Sequence, residues 1–229
     1  MNYAQYEAIL SAIRLDKYKS VFDGNETKAI RLYKSNINLS EEMFGVICMF
    51  EIALRNAIDK YYSNLYGTHW LWDSIQDGGR MSNEDDFSKT KQILQFAYTK
   101  ACSNGYDKNK LLAECEFGVW RYMFAPKQYH AMGDCLIDIF PNIPERMGRF
   151  RCNEVFVYNE LTKINLFRNR IAHHEPICFD KEKEHRSSRQ ARFIYRQICN
   201  FILWMDIDYI EFLADIDEVI PACNNLDNV

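Results

Sequence analysis

Nine glycines and five prolines are spread over 229 residues. Sandwiches and barrels turn on these residues, so an all-β chain would need more of them. Most segments instead repeat their apolar residues at helical spacing. The expected fold class is all-α: one domain over residues 1–229, built of seven to nine helices. A chain of this length buries a sizeable core without disulfide staples. Hydrophobic residues at 48% and charged residues at 26% exclude a disordered chain, a collagen-like chain and a coiled-coil rod. Aromatics at 14% predict bulky, dense helix contacts.

The periodicity predicts a helix over 4–22 with Ile9, Ile13 and Tyr6 on one face. A short helix over 27–34 is expected to end at Ser35-Asn36. Ser40 then reads as an N-cap, with Glu41 and Glu42 suiting the positive end of the next helix. That helix should reach about Tyr62 and lie central and buried, being apolar nearly all round before Glu51. Residues 67–80 read as a loop with a Gly-Gly pair, and Asn104-Gly105 as a turn. Further helices are expected over 84–103, 111–124, 129–140, 153–172 and 187–214. No strand pair stands out by a hairpin signal.

Eight cysteines are present, no two closer than 13 residues, so there is no C-x-x-C motif for zinc or redox chemistry. The N-terminal segment is too polar for a signal peptide. The longest nearly apolar run, Met43 to Leu54, is shorter than the ~20 residues of a membrane helix. A cytoplasmic protein with reduced thiols and no membrane partner is expected. Charge is uneven: 142–200 holds 12 Lys and Arg against 7 Asp and Glu, a net of +5, and 201–229 nets -7. A locally basic segment can bind an anion even in an acidic chain. The acidic tail reads as a solvated surface. No G-x-G-x-x-G, P-loop or G-x-S-x-G is present, which counts against nucleotide cofactors, NTPases and serine hydrolases.

The segment from Leu166 to Ile177, LFRNRIAHHEPI, concentrates the chemistry. On a continuous helix Asn165, Asn169 and His173 share a face, and Arg168 lies about 140° from His173. An imidazole near its pKa of about 6.5 accepts and returns protons at physiological pH. A guanidinium holds a phosphate through a planar fork and stabilises charge on its oxygens. With RNA the nucleophile is already present as the 2'-hydroxyl, so neither a metal nor a protein nucleophile is needed. The products would be a 2',3'-cyclic phosphate and a 5'-hydroxyl. The plainer reading is that two histidines before a proline end a helix, with Arg168 paired to a surface acid. As metal ligands, adjacent histidines fit poorly, and no H-E-x-x-H or H-x-x-x-H spacing exists. No cofactor or metal is expected.

Arg168-Asn-Arg-Ile-Ala-His173 carries the R-x4-H pattern of the HEPN superfamily of helical ribonucleases. Its extended form, RNRIAHHEP, resembles the Abi-like family, the abortive-infection phage-resistance proteins of bacteria. Phe50-Glu-Ile-Ala-Leu-Arg-Asn56 resembles that family's FE-x-x-LRN segment, and Phe117-Gly-Val-Trp120 its mid-chain aromatic segment. The likeness spans about Glu42 to Pro176 in three patches; residues 1–35 and 180–229 carry no matching motif. It implies a HEPN-like helical bundle with additional helices, metal-independent endoribonuclease activity, and a toxin role in antiviral defence. It also implies a homodimer, because the superfamily's cleft forms between two HEPN units and this chain has one R-x4-H. A C2 interface would bring two copies of Arg168 and His173 together. By the same resemblance Arg168 and His173 are the catalytic pair, Asn169 is the polar residue after the arginine, and His174 and Glu175 assist. A restraining antitoxin or small RNA is the kind of partner such a toxin would have.

Secondary candidates have plain alternatives. Glu51 and Arg55, spaced i, i+4, are either a structural ion pair or cleft residues that orient His173 or the phosphate, with Asn56 hydrogen bonding beside them. Arg186, Arg189, Arg192 and Arg196 share one helix face, with Lys181, Lys183 and His185 just before; the face is either solvated or an RNA-backbone surface, and Arg170 would add to it. Tyr195 and Phe193 read as core. His69, Trp70 and Trp72 plug the core or stack bases, and His130 has no partner visible. Two other functions stay open beside the nuclease: a non-catalytic RNA-binding or partner-binding module on the same fold, and a structural or regulatory protein in which the motif only ends a helix.

Overall fold

The computed structural model describes residues 1–103, 105–180 and 185–229. The Asn104 half of the expected turn, and Lys181 and Lys183 of the basic cluster, lie outside the described residues. The described residues are mostly helical. Their α-helices are α1 (Tyr3–Leu10), α2 (Ala12–Ser20), α3 (Glu26–Tyr66), α4 (Trp70–Asp73), α5 (Glu84–Ala101), α6 (Lys108–Glu114), α7 (Phe117–Tyr122), α8 (Pro126–Ala131), α9 (Glu154–Ala172), α10 (Arg189–Trp204), α11 (Tyr209–Phe212) and α12 (Val219–Asp227). Twelve helices exceed the seven to nine expected, chiefly because long predicted segments are broken.

The all-α expectation holds, with one small exception. Strands β1 (Arg146–Met147) and β2 (Phe150–Arg151) pair antiparallel, Met147 opposite Phe150. Gly148 takes φ +58° at the first central turn position, as a two-residue II′-type hairpin requires. Two-residue strands show no alternation, which is why no hairpin stood out.

The first predicted helix breaks at Ser11, whose φ is +73°. Ile9 and Ile13 are 70% and 89% exposed, so they do not form the buried face; Tyr3, Leu15 and Tyr18 do. The predicted stop at Ser35-Asn36 is also absent. α3 runs unbroken for 41 residues. Ser40 is no N-cap: its hydroxyl donates to the Asn36 carbonyl at 2.8 Å. The buried Asn36 side chain accepts from the Ile177 amide at 2.9 Å. A partner 141 residues away therefore explains a polar residue that, read locally, resembles a turn. The 111–124 helix divides into α6 and α7, with Cys115 extended between them. The 129–140 helix is α8 followed by a 3₁₀ turn, Leu136–Ile139.

The chain forms two compact units. The first comprises Met1–Met49, Leu166–Cys199 and Tyr209–Val229; the second comprises Phe50–Asn165 and Asn200–Asp208. In the first unit Tyr18 packs edge-on against Tyr33 and Phe179, with ring centroids 5.2 and 5.1 Å apart. In the second, Phe50 meets Phe117 and Phe201 at 6.1 and 5.7 Å, and Phe140 meets Phe201 at 5.4 Å. Phe117, Val119 and Trp120 of the FGVW segment are buried. Such aromatic pairs contribute about 0.5–1.5 kcal/mol beyond their buried area. No helix of the described residues is long and apolar enough to cross a membrane. All eight cysteines are reduced, six of them buried.

Candidate functional site

α9 begins at an Asn153 cap, whose side chain accepts from the Phe156 amide at 3.1 Å. It ends in a Schellman motif. The Glu175 amide donates to the Arg170 carbonyl at 2.8 Å, and the His174 amide to the Ile171 carbonyl at 2.9 Å. His174 takes the left-handed position at φ +55°, where glycine is commonest and histidine is tolerated. His173 keeps a helical bond from its amide to the Asn169 carbonyl at 2.9 Å, so its backbone continues the last turn.

This geometry decides the state of each side chain. Arg170 is committed to closing the helix. It donates to Gln190 Oε1 at 2.8 Å and to the Pro176 carbonyl, and its Nε lies 3.5 Å from Glu175 Oε2. That ion pair stands where a Schellman motif usually carries an apolar contact. Arg168 differs. Its Nη1 lies 3.5 Å from Asn169 Oδ1, its buried Nε has no hydrogen-bond partner, and no acid pairs with it among the described residues. His173 is exposed, and its imidazole makes no hydrogen bond or ion pair among the described residues. The two histidines do end the helix, as the plainer reading requires, but the nearby acid Glu175 engages Arg170 rather than Arg168.

Arg14 was not anticipated. This exposed α2 residue donates through Nη1 to the His174 carbonyl at 3.1 Å, bringing a further guanidinium to the cap. The two residues are 160 positions apart, so no local spacing could reveal the contact.

The basic face after the cap is divided. Arg192 donates to Ser188 Oγ at 2.8 Å, to Asn224 Oδ1 at 2.8 Å and to Asp227 Oδ2 at 3.1 Å. Asp227 also accepts from the Ser188 hydroxyl and amide, at 2.6 and 3.1 Å. Arg186 stacks over Phe22 at 5.2 Å and approaches the Asp227 carbonyl at 3.5 Å. Tyr195 donates to Asp217, and burial together with that carboxylate pushes its phenol up. Part of the acidic tail is therefore a structural partner of α10, not only a solvated surface. Arg189 and Arg196 remain exposed without an ion pair among the described residues.

Glu51, Arg55 and Asn56 belong to the second unit. Arg55 Nε donates to Asn56 Oδ1 at 3.4 Å. The Arg55 charge also partly offsets the burial that pushes the Cys115 thiol up to about 12. Trp70 is buried, donating to Asp59 Oδ1 at 2.9 Å, and Trp72 stacks on Tyr98 with centroids 3.9 Å apart. His130 Nδ1 lies 2.8 Å from Asp134 Oδ2, an i, i+4 pair that its spacing could have disclosed. Among the described residues no group of three or more His, Cys, Asp or Glu side chains is placed to hold a metal ion.

Comparison with family models, with curated proteins and with solved structures gives no match for this chain.

Proposed function

We propose that the protein is a metal-independent endoribonuclease of the HEPN, Abi-like type, a cytoplasmic toxin of phage defence. The observation that carries this reading is an exposed His173 imidazole, without a hydrogen bond or ion pair among the described residues, five residues after an Arg168 guanidinium that no acid pairs with among the described residues. A phosphate oxygen would satisfy the buried Arg168 Nε, which otherwise keeps an unmet N–H.

In the reaction, His173 takes the proton of a ribose 2'-hydroxyl. The 2'-oxygen forms a bond to the adjacent phosphorus, and the bond from phosphorus to the 5'-oxygen breaks. Arg168 stabilises the charge on the phosphoryl oxygens. A protonated imidazole returns a proton to the leaving oxygen. Two copies of the chain supply the two imidazoles, so the active form is a homodimer. An antitoxin or small RNA would restrain it.

The test is cleavage of single-stranded RNA in EDTA. General acid–base catalysis contributes about 10²–10⁴-fold, so His173→Ala should lose that much cleavage while keeping its helical circular-dichroism spectrum. A folded His173→Ala protein that cleaves as fast as the parent refutes the assignment. Arg189 and Arg196, exposed and without an ion pair among the described residues, favour a second reading: a non-catalytic RNA-binding module. It gives salt-sensitive RNA retention with no product.

A further inference from the structure

A groove of about 530 Å³ lies in the second unit, where β2 meets the first half of α9. Such a volume falls in the roughly 300–1,000 Å³ range of small-molecule sites. Phe150, Arg151, Phe156, Asn159, Glu160 and Lys163 are among its lining residues. The Glu160 side chain is only 8% exposed. Its Oε1 accepts from Lys163 Nζ at 2.6 Å, but its Oε2 is buried with no partner. Burying a carboxylate oxygen unpaired is costly.

The surroundings restrict what would satisfy that oxygen. Phe150 is 56% exposed and offers a ring for stacking, with Arg149 over it at 5.1 Å. Arg146, Arg149 and Arg151 are all exposed on the hairpin. A cationic amine could pair with Glu160 but would meet these arginines and Lys163. The cations instead suit a ligand with an anionic backbone and a neutral, planar donor edge, which describes a nucleotide. Guanine places two adjacent N–H donors, N1 and N2, beside the O6 carbonyl. The donors match the Glu160 carboxylate, and O6 matches the Lys163 ammonium.

We infer that this groove binds a guanine base of single-stranded RNA, stacked on Phe150 and read by Glu160 and Lys163. The inference rests on the RNA reading above but concerns residues outside the R-x4-H segment. Its test is therefore made on binding rather than cleavage, with the full-length His173→Ala protein.

Calorimetric titration with GMP, AMP, CMP and UMP should give saturable GMP binding about fivefold or more tighter than the others, since a matched base edge typically discriminates by at least that factor. Glu160→Gln should abolish the preference for GMP. Phe150→Ala, at an exposed site that leaves the fold intact, should weaken all four nucleotides by about tenfold or more. Absence of saturable GMP binding, or an undiminished GMP preference in a folded Glu160→Gln protein, overturns the proposal. Nucleotide binding without RNA cleavage by the parent protein would sink the nuclease and leave the groove standing. Cleavage without GMP binding would do the reverse.

Discussion

The α9 cap and the α10 face carry arginines in comparable number, yet the structure treats them differently. At the cap, Arg170 takes up the nearby acid, leaving Arg168 without one among the described residues and His173 exposed. On α10, the acidic C-terminal helix engages Arg192 through Asp227, and Arg189 and Arg196 stay exposed without an ion pair among the described residues. Counting basic residues along the chain cannot separate these states. Availability of a cation depends on which acid the tertiary structure delivers to it.

The comparison can be broken first at Arg170. Its side chain is 17% exposed and holds the Gln190 amide and the Pro176 carbonyl. Hydrogen bonds to a charged group contribute about 1.5–3 kcal/mol each. Arg170→Ala should therefore lose about 3 kcal/mol in urea unfolding, whereas an arginine that merely covered the surface would lose almost nothing.

Asp227 is the matching point on α10. Asp227→Asn weakens its bonds to Ser188 and Arg192, and the expected loss is about 2 kcal/mol. Freed of its acid, Arg192 should also raise retention on single-stranded RNA at low salt. Unchanged stability and unchanged retention would mean that the acidic tail does not mask this face.

The thiols give a pH-dependent effect. Burial pushes Cys178, just beyond the cap, up to about 12, and Cys199 on α10 up to about 11. Both thiols are neutral when folded, while the unfolded chain ionises them from about pH 8.5. Above that pH the unfolded chain holds fewer protons than the native protein, so stability falls as pH rises. It should fall by about 1.4 kcal/mol per pH unit for each thiol until the folded pKa is reached. A urea midpoint that is flat below pH 8 and declines through pH 9 and 10 is the expected result; a rising midpoint contradicts it.

The smallest change in stability is expected at Arg196. Arg196→Ala should shift it by no more than about 0.5 kcal/mol. If α10 touches an RNA backbone, the slope of log affinity against log salt falls by about 0.7. A slope equal to that of the parent removes α10 from the interface.

Much of the local structure was readable. Asn83 and Asn153 announce α5 and α9 because an Asn side chain meets amides that the helix leaves open. The ends of α9 and α10 differ in this respect. α9 stops before a proline, which the chain shows. α10 stops at Trp204, ahead of Asp206 at φ +63° and without a glycine, so periodicity carried the expected helix on to residue 214. At the candidate site the Arg168 to Glu175 segment was legible by its chemistry, while Arg14 and the hairpin groove were not.

From the residue pattern alone came the helical class, the starts of α5 and α9, and the segment where an imidazole and a guanidinium fall close together. These follow from rules that act within a turn or two of chain. Whether α3 would break at Asn36, which arginines would be neutralised, and where an unpaired carboxylate oxygen would be buried were tertiary matters. Asn36 meets Ile177 across 141 residues and Arg192 meets Asp227 across 35, groups that only packing brings within hydrogen-bond reach.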